Sequence, residues 1–310
     1  MNFTKKISDI AGMLGIKTML LPVYDFFHKK KALAQISKFD KTITCNGLNT
    51  EKRDFELIVS FTSFPVRIKS AAYVADAMLR QTLRPDKIIL YLADNELTLQ
   101  ELPEEYVNLQ ARGLTIEFVE NLKPHKKYFY AIKNFQESIV VTVDDDILYP
   151  ENLLETLFES YKRYPQCVSA MRAHRILFKN GKLLPYNSWE YESSYSKLPQ
   201  LDLFATGGAG ALYPPKCMDE ELFNEETIKK TSLGADDVWL KFMQLKKKTP
   251  VVLADTNKVK LLYIPASQKI SLWSENRDNN RNDKIIKACM EFLQIDECDL
   301  LRMISGDKNA

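Results

Sequence analysis

Asp144, Asp145 and Asp146 stand in unbroken succession at the end of an apolar run, Ile139-Val-Val-Thr-Val143. A β-branched run of this kind predicts a strand buried on both faces. Three carboxylates at its exit repel one another, and burial raises the cost further, so the cluster calls for a compensating cation. Oxygen donors of this type suit Mg²⁺ or Mn²⁺, which keep several waters and bridge to substrate phosphates. The competing reading is a solvated turn with Asp146 capping the next helix, but a cap needs one aspartate and this site has three. A second acidic pair, Asp236-Asp237, opens an apolar segment (Val238, Leu240, Phe242, Met243). By itself it reads as a helix N-terminal pair. Basic residues that could neutralise a diphosphate are Arg67 and the group His125, Lys126 and Lys127, although any one lysine could equally be solvated. Gly207-Gly208-Ala209-Gly210 permits close backbone approach to a ligand, or is a flexible turn.

The chain that must position these groups has 310 residues, 45% of them hydrophobic, enough for one large domain or a domain with appendages. A net charge of +2 argues against a generic nucleic-acid binder. Five scattered cysteines (45, 167, 217, 289 and 298) without Cys-x-x-Cys point to reduced thiols in a cytosolic setting and to no zinc site. Three histidines are too few for a His-based metal cluster. No Gly-x-Gly-x-x-Gly follows the first strand and no Gly-Lys-Ser/Thr occurs, so nucleotide binding would depend on a divalent ion and side chains.

From Phe55 strand and helix patterns alternate. Glu56 to Phe61 predicts a strand, Ile68 to Leu79 a helix, Lys87 to Leu92 a strand, and Glu104 to Leu109 a short helix. Leu114 to Val119 predicts the third strand, and Tyr128 to Glu137 the helix before the acidic strand. This alternation predicts a parallel, three-layer α/β sheet, and such sheets bind ligands beyond the carboxyl ends of their strands. Thr62, Asp94 and the three aspartates all follow strand ends, so they are expected to share a crevice. Val251 to Ala254 reads as a further strand. Trp273 and the tract from Ser274 to Asp283 read as a loop able to close over a donor. The last residues suggest an amphipathic helix (Ile285, Ile286, Met290, Leu293) and a polar tail.

Several ordered motifs carry a family resemblance. They are Val59-Ser-Phe-Thr62-Ser63-Phe-Pro-x-Arg67, Lys127-Tyr128, Val143-Asp144-Asp145-Asp146-Ile-Leu-Tyr-Pro150 and Ala170-Met-Arg172-Ala-His174-Arg175. Thr206-Gly-Gly-Ala-Gly210, Ala235-Asp236-Asp237-Val-Trp239 and Asn279-x-x-Asn282-Asp283 follow. Over residues 55 to 290 the set resembles bacterial glycosyltransferases related to family 2, with a GT-A (Rossmann-like) fold: a three-layer, mostly parallel sheet with flanking helices, here preceded by an N-terminal helical extension (1–54) and followed by a helix end and tail (291–310). The resemblance implies that Asp144 and Asp146 match the Asp-x-Asp that holds Mn²⁺ or Mg²⁺ on a nucleotide-diphosphate sugar, with Asp145 beside them. It places Thr62, Ser63, Arg67, Asp94 (a loose match) and Lys127 with the nucleotide, and Asp237, with Asp236, as catalytic base. Arg172, His174, Gly207, Gly208 and Trp239 are assigned to the acceptor or sugar pocket, although a lone ring such as His174 is more often a hydrogen-bonded structural residue. The processive signature Gln-x-x-Arg-Trp is absent after Trp239, which favours single addition.

The expected activity is therefore inverting, metal-dependent transfer from a UDP-linked donor to a hydroxyl of a glycan or lipid-linked glycan of a bacterial surface polysaccharide, on the cytoplasmic side of the membrane. Alternatives are a sugar-phosphate nucleotidyltransferase, disfavoured because Thr62 to Arg67 contains no glycine, and a catalytically silent scaffold of the same fold. The first 50 residues hold eight lysines against three aspartates, with Ile7, Ile10, Leu14 and Leu21 on one helical arc. They read as an interfacial helix with Lys29, Lys30 and Lys31 near anionic headgroups, or as a helix packed on its own domain or a partner. Lys17, Pro22 and Asp25 make a poor membrane span.

Overall fold

The computed structural model describes residues 17–37, 39, 44–265 and 280–306. Ile7, Ile10, Leu14, Trp273 and Asn279, singled out above, lie outside the described residues. Helix α1 (Lys17–Ile36) leads to β1 (Leu57–Thr62), α2 (Ile68–Leu79), β2 (Lys87–Ala93), α3 (Glu105–Ala111), β3 (Leu114–Val119), α4 (Lys126–Asn134) and β4 (Ile139–Thr142). After the acidic turn come the short β5 (Ile147–Leu148), α5 (Leu153–Arg163), β6 (Val168–Ala170) and β7 (Ala173–Arg175). A two-residue hairpin, β8 (Phe178–Lys179) and β9 (Lys182–Leu183), precedes β10 (Leu203–Ala205) and β11 (Ala211–Tyr213). Helices α6 (Glu225–Thr231) and α7 (Asp236–Lys246), strands β12 (Val251–Leu253) and β13 (Leu262–Tyr263), and helices α8 (Arg281–Leu293) and α9 (Glu297–Ser305) complete the chain.

The central sheet has seven strands in the order β12-β6-β11-β4-β1-β2-β3. β1 runs parallel to β2 and β4, β2 to β3, and β12 to β6, while β11 is antiparallel to both of its neighbours. This is the expected three-layer, mostly parallel α/β class. The inner strands β1, β2 and β4 are buried on both faces, which is why they read as continuous apolar runs, whereas the edge strand β3 exposes Thr115 and Phe118. Leu57, Val59 and Phe61 pack with Ala71, Val74 and Met78 of α2 on one face, while Ile58 points to the other, with Val140 and Ala131 of α4. β11 divides the same way: Leu212 joins the first core, and Ala211 and Tyr213 join a second built on α7 and α8.

Register decides where chemistry can occur. Thr62 pairs with Tyr91, Ser60 with Thr142, and Ala211 with Thr142. The carboxyl ends of β1, β2 and β4 therefore share one edge, and because β11 is reversed, the Gly207–Ala209 turn that precedes it arrives at that edge too. Helix α4 begins at Lys126, two residues before the expected start. Pro124 lies in the single 3-10 turn leading into it, and its fixed φ suits a helix entrance. Lys127 consequently sits in the first turn of α4.

Candidate active site

β4 hands over to the acidic turn with Val143 N–H still donating to Ser60 O at 3.2 Å. The three aspartates then diverge. Asp144 stays half-open, its side chain 36% exposed, and accepts a hydrogen bond from Lys127 Nζ at 2.7 Å. Asp145 turns inward, where Ser63 Oγ donates to it at 2.6 Å and Arg67 Nη1 at 2.9 Å. Asp146 meets the same guanidinium at 3.1 Å, and its backbone carbonyl accepts from Ile264 N–H at 2.9 Å, alongside the β5–β13 pairing.

The second half of the site comes from α7 and the glycine turn. Asp236 Oδ2 lies 2.8 Å from Lys127 Nζ, so one buried ammonium bridges the β4 exit and the α7 entrance. Asp237 Oδ1 accepts from Gly207 N–H at 3.0 Å. The hydroxyl of Tyr149 accepts from Asp144 N–H at 2.8 Å and donates to Gly208 O. A Cβ on Gly208 would stand 2.1 Å from Asp144 Oδ2. A side chain there would therefore push the Asp144 carboxylate aside, so space and not backbone angle favours glycine.

The electrostatics follow from this crowding. Burial would lower the Lys127 pKa, but Asp144, Asp236 and Asp237 outweigh it and hold the ammonium well above its ordinary value. Asp236 is held below the ordinary carboxylate range because Lys127 overcomes its burial. Its neighbour Asp237 is pushed up to about 7 by burial, with the charge of Asp236 adding to it. Asp146 is also pushed up to about 7, by burial and then by the charge of Asp144. Arg67 and Lys127 thus pair directly with four of the five aspartates, and Asp237 has the Gly207 N–H instead.

That surplus of carboxylates over cations suits a divalent ion. Asp144 and Asp146 offer oxygen donors, Asp144 is half-open, and Gly208, lacking a Cβ, lets its carboxylate lie against the glycine turn. No set of three or more His, Cys, Asp or Glu side chains forms a ready-made cage among the described residues. Two carboxylates completed by water and phosphate oxygens fit Mg²⁺ or Mn²⁺, which favour such incomplete protein shells.

Several expected site residues are placed differently. Trp239 is fully buried in the second core, its indole N–H donating to Leu222 O at 3.2 Å. It falls on the face of α7 that packs against the core, 5.8 Å ring to ring from Phe292. His174 is also buried: Nδ1 accepts from Glu192 N–H at 3.1 Å and the ring lies 4.3 Å from Tyr191. Burial, with Arg172 adding, lowers it to about 4, so it is a neutral structural acceptor. Asp145, Ser63 and Arg67 form a buried brace under the turn, and Lys127 a buried bridge between acids. Thr62 Oγ1 donates to Tyr91 O at 2.7 Å, locking β1 to β2, and Asp94 is exposed at the same edge with its N–H on Val119 O at 3.0 Å. Arg172 donates to Thr206 Oγ1 at 2.8 Å and to Tyr263 Oη at 2.7 Å. Tyr149 and Tyr263, which the sequence did not mark as site residues, organise the turn and Arg172. Tyr149 lies five residues after Asp144 inside a quoted motif, but its role depends on Gly208, which is distant in sequence.

No family model matches the chain, and no curated protein does. Solved structures do. A Pyrobaculum calidifontis mannosyltransferase (PcManGT) in complex with GDP-Man and Mn²⁺ aligns at 13% identity and a TM-score of 0.46, over 93% of this chain and 76% of that one. S. aureus TarS (1–349) in complex with UDP aligns at 11% and 0.41, over 65% of this chain and 58% of that one. A UDP-glucose pyrophosphorylase complexed with UDP-glucose aligns at 9% and 0.39, over 77% and 99%. These neighbours are nucleotide-sugar glycosyltransferases and a nucleotidyltransferase. At such identities and scores, only the site's own chemistry can say what this chain does.

Proposed function

We propose that the chain is an inverting, GT-A-type glycosyltransferase that moves a sugar from a nucleotide-diphosphate donor, UDP-linked, to a hydroxyl of a glycan or lipid-linked glycan in surface polysaccharide synthesis. One observation supports it most: the acidic turn and the candidate base are set by a single glycine turn, with Gly207 N–H on Asp237 and Gly208 O tied through Tyr149 to Asp144. Asp144 and Asp146 are the residues that would hold a divalent ion. Bound there, that ion supplies positive charge to the departing diphosphate. Asp237 takes the proton of the acceptor hydroxyl, a role that suits a carboxyl poised near neutral pH. Its hydrogen bond from Gly207 fixes the direction of that carboxylate, and Lys127 keeps Asp236 ionised beside it. Arg172, held by Thr206 and Tyr263, is the cation next to the glycine turn and is assigned to the transferred sugar or the diphosphate. Against a nucleotidyltransferase stands Arg67, the basic residue after β1, which is committed to Asp145 and Asp146. A thermal-shift and hydrolysis screen of nucleotide sugars with and without Mn²⁺ tests the reading. UDP-sugar hydrolysis that needs Mn²⁺ and is lost in Asp146→Asn supports it; unchanged UDP affinity of Asp146→Asn in Mn²⁺ removes the metal role.

A further inference from the structure

Helix α1 has two unlike faces from Phe26 onward. One is a seam to the domain: Ala32 is fully buried, Gln35 Nε2 donates to Tyr149 O at 3.5 Å, and the His28 ring lies 6.1 Å from that of Tyr263. The other presents Phe26, Phe27 and Leu33, respectively 54, 58 and 49% exposed. At 100° per residue, Lys30 and Ala34 fall among these three, and Lys29 and Lys31 flank them. Lys30 Nζ lies 4.7 Å from the Phe26 ring centre, and the two phenylalanine rings meet edge to face at 5.7 Å.

Two exposed rings and a leucine interleaved with ammonium groups suit neither bulk water nor an apolar protein interface. Apolar area seeks cover, whereas a dry interface would strand three lysines. A bilayer surface satisfies both demands, since rings enter the headgroup–acyl boundary while lysine stems extend their charge to lipid phosphates. The first 50 residues carry five more lysines than aspartates, so an anionic surface is the complementary one. Among the described residues no helix is long and apolar enough to cross a membrane, so the contact is with the surface. We propose that the outward face of α1 docks on a bilayer bearing anionic headgroups. Its seam reaches Tyr149, which holds the acidic turn, and Tyr263, which holds Arg172, so the helix that meets the lipid packs directly on the tyrosines that shape the cleft. Resting on the transferase reading, this places the acceptor hydroxyl on a membrane-borne, lipid-linked glycan.

The test is co-sedimentation of the full chain with vesicles of phosphatidylcholine, with and without phosphatidylglycerol, over a range of salt. Binding should require phosphatidylglycerol and weaken with salt. Each lysine lost should cost roughly a fivefold drop, so Lys29→Gln, Lys30→Gln and Lys31→Gln combined should lower affinity roughly a hundredfold. Phe26→Ser with Phe27→Ser should also release the protein, with its circular dichroism and its UDP-sugar hydrolysis in solution unchanged. Equal binding to both vesicle types, or a triple variant that binds like the wild type, overturns the proposal. So does a stable dimer that Phe26→Ser dissociates, which would make the face a contact between copies. Vesicle binding without any hydrolysis would leave the docking face standing and sink the transferase reading instead.

Discussion

Replacing Lys127 by methionine tests whether one buried ammonium joins the two halves of the site. Methionine keeps most of the apolar stem and removes the charge, so Asp144 and Asp236 lose their partner at 2.7 and 2.8 Å. The two losses are unequal. The Asp144 side chain is 36% exposed, water can replace the ammonium, and its share is about 0–1 kcal/mol. The Asp236 side chain is 11% exposed, and stranding a buried charge costs about 3–5 kcal/mol. Asp236 therefore dominates. For 310 residues, with an unfolding entropy of about 2.1 cal/mol/K per residue, the loss lowers Tm by roughly 5–8 °C. Thermal melts of Lys127→Met, Asp236→Asn and the double variant form a cycle. The double variant should recover most of the loss, because no charge remains stranded. A single variant that melts within about 2 °C of the wild type, or a double variant no better than the single, refutes the bridge.

Further outcomes follow from the same geometry. Asp237→Asn should keep donor binding and lose transfer by roughly 10²–10⁴-fold, and near-normal turnover would remove it as base. In the wild type, turnover should rise with pH through about 7, where Asp237 ionises. Stability should move the other way: a carboxyl raised from 3.8 to about 7 keeps, across that window, a proton the unfolded chain has released, so stability falls as pH rises through it. A flat turnover profile across that range would contradict the assignment. Gly208→Ala places a methyl 2.1 Å from Asp144 Oδ2 and should displace that flexible carboxylate, lowering Mn²⁺-dependent activity roughly a hundredfold with little change in Tm. Full activity would show that Asp144 need not sit there. Trp239→Ala should cost about 3–5 kcal/mol in urea unfolding and leave the donor KM of the folded fraction unchanged; a raised KM at unchanged stability would return Trp239 to a sugar pocket.

The residues from Leu57 to Val119 carried their own structure. Strand β1, helix α2 and strands β2 and β3 fall where the apolar runs put them, because short β-branched runs and an alanine-rich helix are local signals. The acidic turn was equally legible, since three aspartates after an apolar strand are a composition that needs no partner to be noticed. What those aspartates do was not legible. Adjacent in sequence, they part company in space: Asp145 goes to Ser63 and Arg67, while Asp144 goes to Lys127. The parallel pairing of β1 with β4 brings Ser63 and Arg67 within reach, and Ser60 Oγ, donating to Lys127 O, ties the start of α4 to the same edge. The reversed strand β11 brings Gly207 and Gly208 to the same edge, and the packing of α7 then decides that Asp237 faces the glycine turn while Trp239, two residues on, faces the core. Residue types set which charges exist; the fold set which of them meet, because a buried carboxylate acquires its pKa and its role from neighbours that lie dozens of residues away along the chain.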